Sequence, residues 1–162
     1  MNDPIAFFIT IANYGTWLPG DERGWVEYQR GWKLPCRPLE LEALARMSEE
    51  ACILNSGQRE LVESQIAETC EHREWILHAQ NCRSNHLHAV IGAFETAPKK
   101  VRQDLKAWCT RRLKRETNSG RENWWAERGS IRWVFTEEEL ERVIEYVNDA
   151  QDRKHLEIKP DQ

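Results

Sequence analysis

His86-Leu87-His88 sets two imidazoles two residues apart. Along a strand that spacing puts both on one face, where two imidazoles can hold one divalent cation. The same pair also fits two ordinary strand histidines bonded to neighbours. Downstream, Tyr146 and Gln151 lie in a stretch of helical periodicity. With Tyr146 at zero and about 100° per residue, Leu140, Val143, Ile144 and Val147 fall between roughly 60° and 160°. That is a buried stripe. Gln151 falls inside it at about 140° and Ala150 at about 40°. A polar side chain inside a buried stripe needs a partner. A cation on His86 and His88 is one candidate, and backbone at the helix end is another. Tyr146 lies at the stripe's edge, where its ring packs and its hydroxyl stays accessible. A phenol is a poor nucleophile until a cation polarises the group it attacks; the common alternative is a boundary tyrosine with a wet hydroxyl.

A second feature is charge. Lys99, Lys100, Arg102, Lys106, Arg111, Arg112, Lys114 and Arg115 face one acid, Asp104, a local charge of +7. The whole chain carries −4, which leaves −11 for the rest. Such segregation fits a basic face directed at a polyanion, or a solvated helix surface. The eight tryptophans are expected mostly in the core, although a Trp can also stack on bases.

Those groups must be held by an ordinary globular framework. The 162 residues are 40 % hydrophobic and 31 % charged, which suits one domain spanning 1–162. No run of about 18 apolar residues occurs, so no membrane helix is expected. The N-terminus lacks a basic n-region, and the five cysteines include no C-x-x-C. A cytoplasmic protein with reduced thiols, mostly filling core space, is the expectation. G-x-S-x-G, Walker and H-E-x-x-H patterns are absent, and nothing suggests a nucleotide cofactor.

The elements follow from periodicity. Residues 5–13 read as a strand, followed by a turn-rich loop. Helices are expected over 39–54 and 57–72, with Val62, Ile66 and Cys70 on one face of the latter. Strands follow at 75–79 and 84–91, joined by a turn at 80–83. The basic run belongs to a helix over 98–116, with a stripe of Val101, Leu105, Trp108, Cys109 and Leu113. A loop over 117–129 leads to a strand at 130–135. Thr136 to Glu139 is a capping box opening a helix over 137–154. Residues 157–162 read as a loose tail. The fold class is therefore α+β: a ferredoxin-like split βαββαβ antiparallel sheet with an additional C-terminal helix. Leu87, Ala89 and Ile91 should face the crossover helices, leaving His86 and His88 on the open face and free of core packing. His72 and His155 read as solvated, and His78 could border the metal.

These pieces together resemble a known family. His86-Leu87-His88 resembles the His-hydrophobe-His signature of the HUH nucleases, and Tyr146 to Gln151 resembles their single-tyrosine helix. Tyr14-Gly15-Thr16-Trp17-Leu18-Pro19-Gly20-Asp21, with Arg23-Gly24-Trp25, is similar to the opening of the REP-associated tyrosine transposases. The resemblance runs from the first strand to Gln151. It implies a nick in single-stranded DNA dependent on Mg²⁺ or Mn²⁺, a covalent 5′-phosphotyrosine on Tyr146, and rejoining by the released 3′-OH. The implied metal ligands are His86, His88 and Gln151. The expected partner is single-stranded DNA carrying hairpins of short palindromic repeats, with monomer or homodimer undecided. The eight basic residues from Lys99 to Arg115, with Trp17, are the nucleic-acid-binding candidates. Relatives often carry the third ligand four residues after the tyrosine; here that position is Ala150 and the Gln is one further on. Two rivals stay open: a non-cleaving DNA-binding regulator of the same fold, and a metal-dependent hydrolase that uses water.

Overall fold

The computed structural model describes residues 3–149. In chain order they form β1 (Ala6–Ala12), β2 (Trp25–Glu27), β3 (Gly31–Lys33), α1 (Arg37–Arg46), α2 (Ser56–Arg73), β4 (Ile76–Cys82), β5 (His86–Gly92), α3 (Pro98–Thr117), β6 (Ser130–Val134) and α4 (Glu137–Asp149). Four strands make one antiparallel sheet in the order β4-β5-β1-β6. That is the ferredoxin-like arrangement expected, with α4 added. Expectations that fall on Ala150, Gln151, His155 and the tail lie outside the described residues.

The sheet has two faces because its strands alternate. Phe7, Ile9 and Ile11 of β1 and Leu87, Ala89 and Ile91 of β5 point one way. They meet Val62, Ile66 and Cys70 of α2 and Val101, Leu105, Cys109 and Leu113 of α3. Each large aliphatic side chain buried there contributes about 1.5–3 kcal/mol. On the other face Ala6, Val90 and Val134 pack under Leu140, Val143 and Val147 of α4. Four of the five cysteines are buried and Cys36 is exposed. The tryptophans depart from expectation: only Trp75 and Trp124 are buried.

The structure departs from the sequence reading at two boundaries, one bulge and one hairpin. The helix expected over 39–54 ends at Arg46. Beyond it Cys52 and Leu54 are pulled into the core, and their amides donate to the Tyr14 and Ser84 carbonyls rather than to a helix. Strand β4 continues to Cys82, so the turn is Arg83 to Asn85, closed by the Arg83 amide on the His86 carbonyl at 2.7 Å. A register shift between Leu77 and Ala79 makes His78 a bulge. The short hairpin β2–β3 was not foreseen; it turns through left-handed Gln29 and Gly31.

The loop after β1 is a polar knot. Asn13 is fully buried, and its amide donates to the Cys52 and Ser84 carbonyls at 3.0 and 2.9 Å. Thr16 Oγ1 donates to the Asn13 and Asn85 carbonyls at 2.8 and 3.2 Å. Arg23 grips Asp21 through two nitrogens at 2.7 Å, and the guanidinium holds the carboxyl below the usual range. Gly20 has φ +88 and packs so closely that a Cβ would run into the Cys36 carbonyl. Truncating Asn13 strands a buried carbonyl, so Asn13→Ala should lower stability by about 1–3 kcal/mol. Urea denaturation followed by Trp fluorescence measures this, and a change within noise would show that the knot does not hold the loop.

Candidate active site

Strand alternation carries His86 and His88 to the α4 face. In the β1–β5 ladder His88 sits opposite Thr10 and His86 opposite Ala12. The two rings meet edge-on with centroids 4.8 Å apart. His88 Nδ1 lies 2.9 Å from Thr10 Oγ1. His86 Nδ1 lies 2.7 Å from Asn85 Oδ1. An amide oxygen only accepts, so that bond puts the His86 proton on Nδ1 and makes Nε2 the basic nitrogen. A hydroxyl accepting from His88 Nδ1 does the same there. This is how metal-binding imidazoles are usually held, by an oxygen on the ring nitrogen away from the ion.

His88 is only 8 % exposed and stacks at a tilt on Phe8, centroids 5.3 Å apart. Burial, with His86 and Arg83 nearby, pushes its pKa down to about 3. It is therefore neutral at physiological pH, the form that donates a lone pair. It also carries packing, contrary to expectation; His86 is half-buried. The donor set suits a divalent cation as far as it goes. Gln151, the expected third ligand, lies outside the described residues. Among the described residues no three His, Cys, Asp or Glu are grouped to hold an ion. His78 does not join the pair: it sits against Gly92, at the opposite end of β5 from His86.

Tyr146 is brought over this pair by α4. Thr136 Oγ1 accepts from the Glu139 amide, while the Glu139 carboxylate accepts from the Phe135 amide, one residue ahead of the expected cap. Val143 and Val147 dock on the sheet, and Asn81 Nδ2 donates to the Val147 carbonyl at 3.1 Å. Tyr146 is thereby 5.8 Å from His88 and 6.0 Å from Phe8, centroid to centroid. It is 52 % exposed. Ring and imidazole line an open cleft of about 470 Å³ with Phe8, Thr10, Arg132, Arg142 and Val143. Two cations, an accessible phenol and a neutral imidazole thus converge on one space. A phosphate diester fits that charge pattern.

Arg132, Arg142, Thr10 and Asn85 were not among the residues expected here. Two had a signal. Arg132 alternates onto the same face as Val134, and Arg142 precedes Tyr146 by four residues, one turn away on its helix. Thr10 needed the strand register, and Asn85 needed the true turn.

The basic run lies on the other face. Lys100 and Arg73 both pair with the buried Asp104. Arg112 bonds Gln65 and Glu68 and pairs with Glu116, Lys114 reaches Glu122, and Arg115 pairs with Glu116. Arg102 donates to the Gly129 carbonyl. Lys106 donates to the Ala126 and Arg128 carbonyls, and burial pushes its pKa down to about 8. Lys99 and Arg111 are exposed, Arg111 over the Trp108 ring. Trp17 is 44 % exposed, with its indole bonded to the Gly24 carbonyl and its ring covered by Arg23.

Comparison with known proteins agrees with this architecture. A solved structure described as "Structure of the REP associates tyrosine transposase bound to a REP hairpin" is similar over 95 % of this chain and 71 % of that one. The TM-score is 0.59 and the identity 11 %, a likeness of fold. No curated protein matches in sequence. No helix among the described residues is long and apolar enough to cross a membrane. The family described as "Transposase IS200 like" matches residues 41–150, from α1 through the two histidines to the tyrosine helix, and this chain belongs to the IS200-like transposases.

Proposed function

We propose that this transposase cuts and rejoins single-stranded DNA beside a hairpin, with Tyr146 as nucleophile. The observation that carries the reading is the convergence of an exposed phenol, a neutral buried imidazole and two arginines on one cleft. Arg132 and Arg142 bind the phosphate and orient it. Tyr146 Oη attacks phosphorus, the P–O3′ bond breaks, and O3′ leaves as a hydroxyl after taking a proton. The 5′ phosphate remains on the tyrosine, so bond energy is kept for the reverse attack by a 3′-OH. His86 and His88, with Gln151 as third ligand, would hold Mg²⁺ or Mn²⁺, which supplies charge neutralisation at the phosphate. Thr10 and Asn85 keep the two imidazoles in the tautomer that this needs. The α4 packing holds the phenol at the rim rather than in the core. The hairpin partner is supported by what the structural neighbour is bound to. The chain acts as one domain in the cytoplasm, as a monomer or homodimer. On α3, Lys99, Arg111 and Arg115 have the exposed heads best suited to backbone contact, and Trp17, on the opening loop, is a stacking candidate.

Tyr146→Phe keeps the ring and removes only a hydroxyl, so stability should fall by no more than about 1 kcal/mol. Binding to labelled hairpin-bearing strands should survive, while the denaturation-resistant adduct formed with Mn²⁺ should vanish. An adduct that persists would unseat the tyrosine; cutting without any adduct would favour the water-using hydrolase. Binding by the wild type with neither adduct nor cutting would favour the non-cleaving regulator.

His86→Ala touches the less buried ring and should abolish cleavage with the fold intact by circular dichroism. EDTA should do the same to the wild type. Cleavage that survives both would remove the cation from the reaction.

Arg132→Gln and Arg142→Gln should each weaken strand binding and reduce the slope of log K against log salt by about 0.7. Unchanged slopes would mean that the phosphate does not enter this cleft.

A further inference from the structure

One edge strand of the sheet is β6, and its two faces differ. Arg132 points into the tyrosine cleft. The next residue, Trp133, points to the opposite side, where a groove of about 390 Å³ opens. Tyr28, Lys99, Arg102, Arg128, Ile131 and Trp133 line it, and no carboxylate does. Trp133 is 48 % and Tyr28 53 % exposed, so two aromatic faces meet solvent. The Arg128 guanidinium stands 3.7 Å from the Tyr28 ring centroid. Trp133 is braced edge-on by Phe7 at 5.6 Å and stacked by Phe135 at 6.3 Å.

Charge tells what the groove accepts. Elsewhere on α3 Lys100, Arg112, Lys114 and Arg115 have carboxylate partners, Lys106 is bound to carbonyls, and Arg111 lies over Trp108. Lys99, Arg102 and Arg128 form no ion pair among the described residues. Burial lowers the Arg102 pKa, and the nearby Arg128 charge lowers it further. Three cations lining one groove with no carboxylate among its walls favour an anion. Rigid aromatic walls add faces on which bases stack, which is how sequence-tolerant single-strand sites are built. A duplex keeps its bases stacked on one another and offers no free base face to such walls.

We propose that this groove holds the unpaired strand adjoining the hairpin, its bases on Trp133 and Tyr28 and its phosphates on Lys99, Arg102 and Arg128. The strand then bends round the β6 edge, from Arg132 in the cleft to the groove behind it. The proposal rests on the single-strand reading above and adds a second, non-catalytic binding site to it.

The test uses the full chain carrying Tyr146→Phe, so that nothing is cut. Fluorescence anisotropy compares a labelled hairpin with an unpaired tail against the same hairpin without one. The tail should strengthen binding. Tyr28→Ala and Arg128→Gln, both at exposed positions, should each weaken the tailed hairpin by about tenfold or more and leave the tailless one unchanged. Trp133→Ala should act likewise, but it also loses the Phe7 contact, so the first two variants decide. Equal binding of both DNAs by the parent, or no effect of either variant on the tailed one, overturns the proposal. Sedimentation in which Tyr28→Ala breaks a dimer also overturns it, since a second copy would then cover the groove. Adduct formation by the unmodified chain judges the cleavage reading separately: tail-dependent binding without an adduct sinks that reading and leaves the groove standing.

Discussion

Everything at the candidate site depends on the two-sidedness of β5. Leu87, Ala89 and Ile91 are essentially inaccessible on the face that meets α2 and α3. Alternation then leaves no choice for His86, His88 and Val90. A slip of one residue would push two imidazoles into an aliphatic core and expose three apolar side chains, so the register is firmly set. The second face cannot stay bare either, because Ala6, Val90 and Val134 are apolar. Helix α4 covers them and stops short of covering everything. Its apolar stripe is narrow, so the residue at its margin, Tyr146, is held in place and still wet. Fixing the histidines and fixing the tyrosine are thus consequences of one sheet needing cover on both sides.

The parts of the fold that were legible are those where periodicity is strong. The α2 and α3 stripes, the alternation of β1 and β5 and the Thr136 cap each carry their own signal. The failures are equally physical. Helix α1 has no buried residue to define its face, and its end is set by distant carbonyls that capture the Cys52 and Leu54 amides. Gln80 and Asn81 read as turn residues because they are polar. In the fold they are strand residues whose amides donate to the Glu63 carbonyl of α2 and the Val147 carbonyl of α4. The candidate site follows the same rule: the shared face of His86 and His88 and the marginal position of Tyr146 could be read from local pattern. Thr10 and Asn85 act through the strand register and a turn three residues from where pattern put it.

Charge counting along α3 found a real asymmetry. Most of those cations have local duties: bracing α2, neutralising the buried Asp104, or holding the chain before β6 by its carbonyls. A cation already paired adds little to a field at distance. The informative quantity is the cation left without a carboxylate; among the described residues Arg132 and Arg142 line the cleft on one side of β6, and Lys99, Arg102 and Arg128 line the groove on the other. The tryptophan count misled for a related reason. Two indoles are buried, Trp125 packs partly against the core, and Trp17, Trp32, Trp108 and Trp133 are exposed.

The opening loop bears on the histidines through a chain of short bonds. Asn13 ties the end of β1 to the 52–54 segment and to Ser84, and Thr16 ties the loop to the Asn85 carbonyl. The Asn13 amide donates to that same carbonyl at 2.9 Å. Asn85 is therefore held by its backbone from one side while its side-chain oxygen orients the His86 ring on the other. Asp21 and Arg23 close the loop over Thr16, whose carbonyl accepts from Arg23 at 2.8 Å. A motif more than sixty residues from His86 is thus linked to its ring through Asn85. The loop needs no contact with DNA to matter for the chemistry.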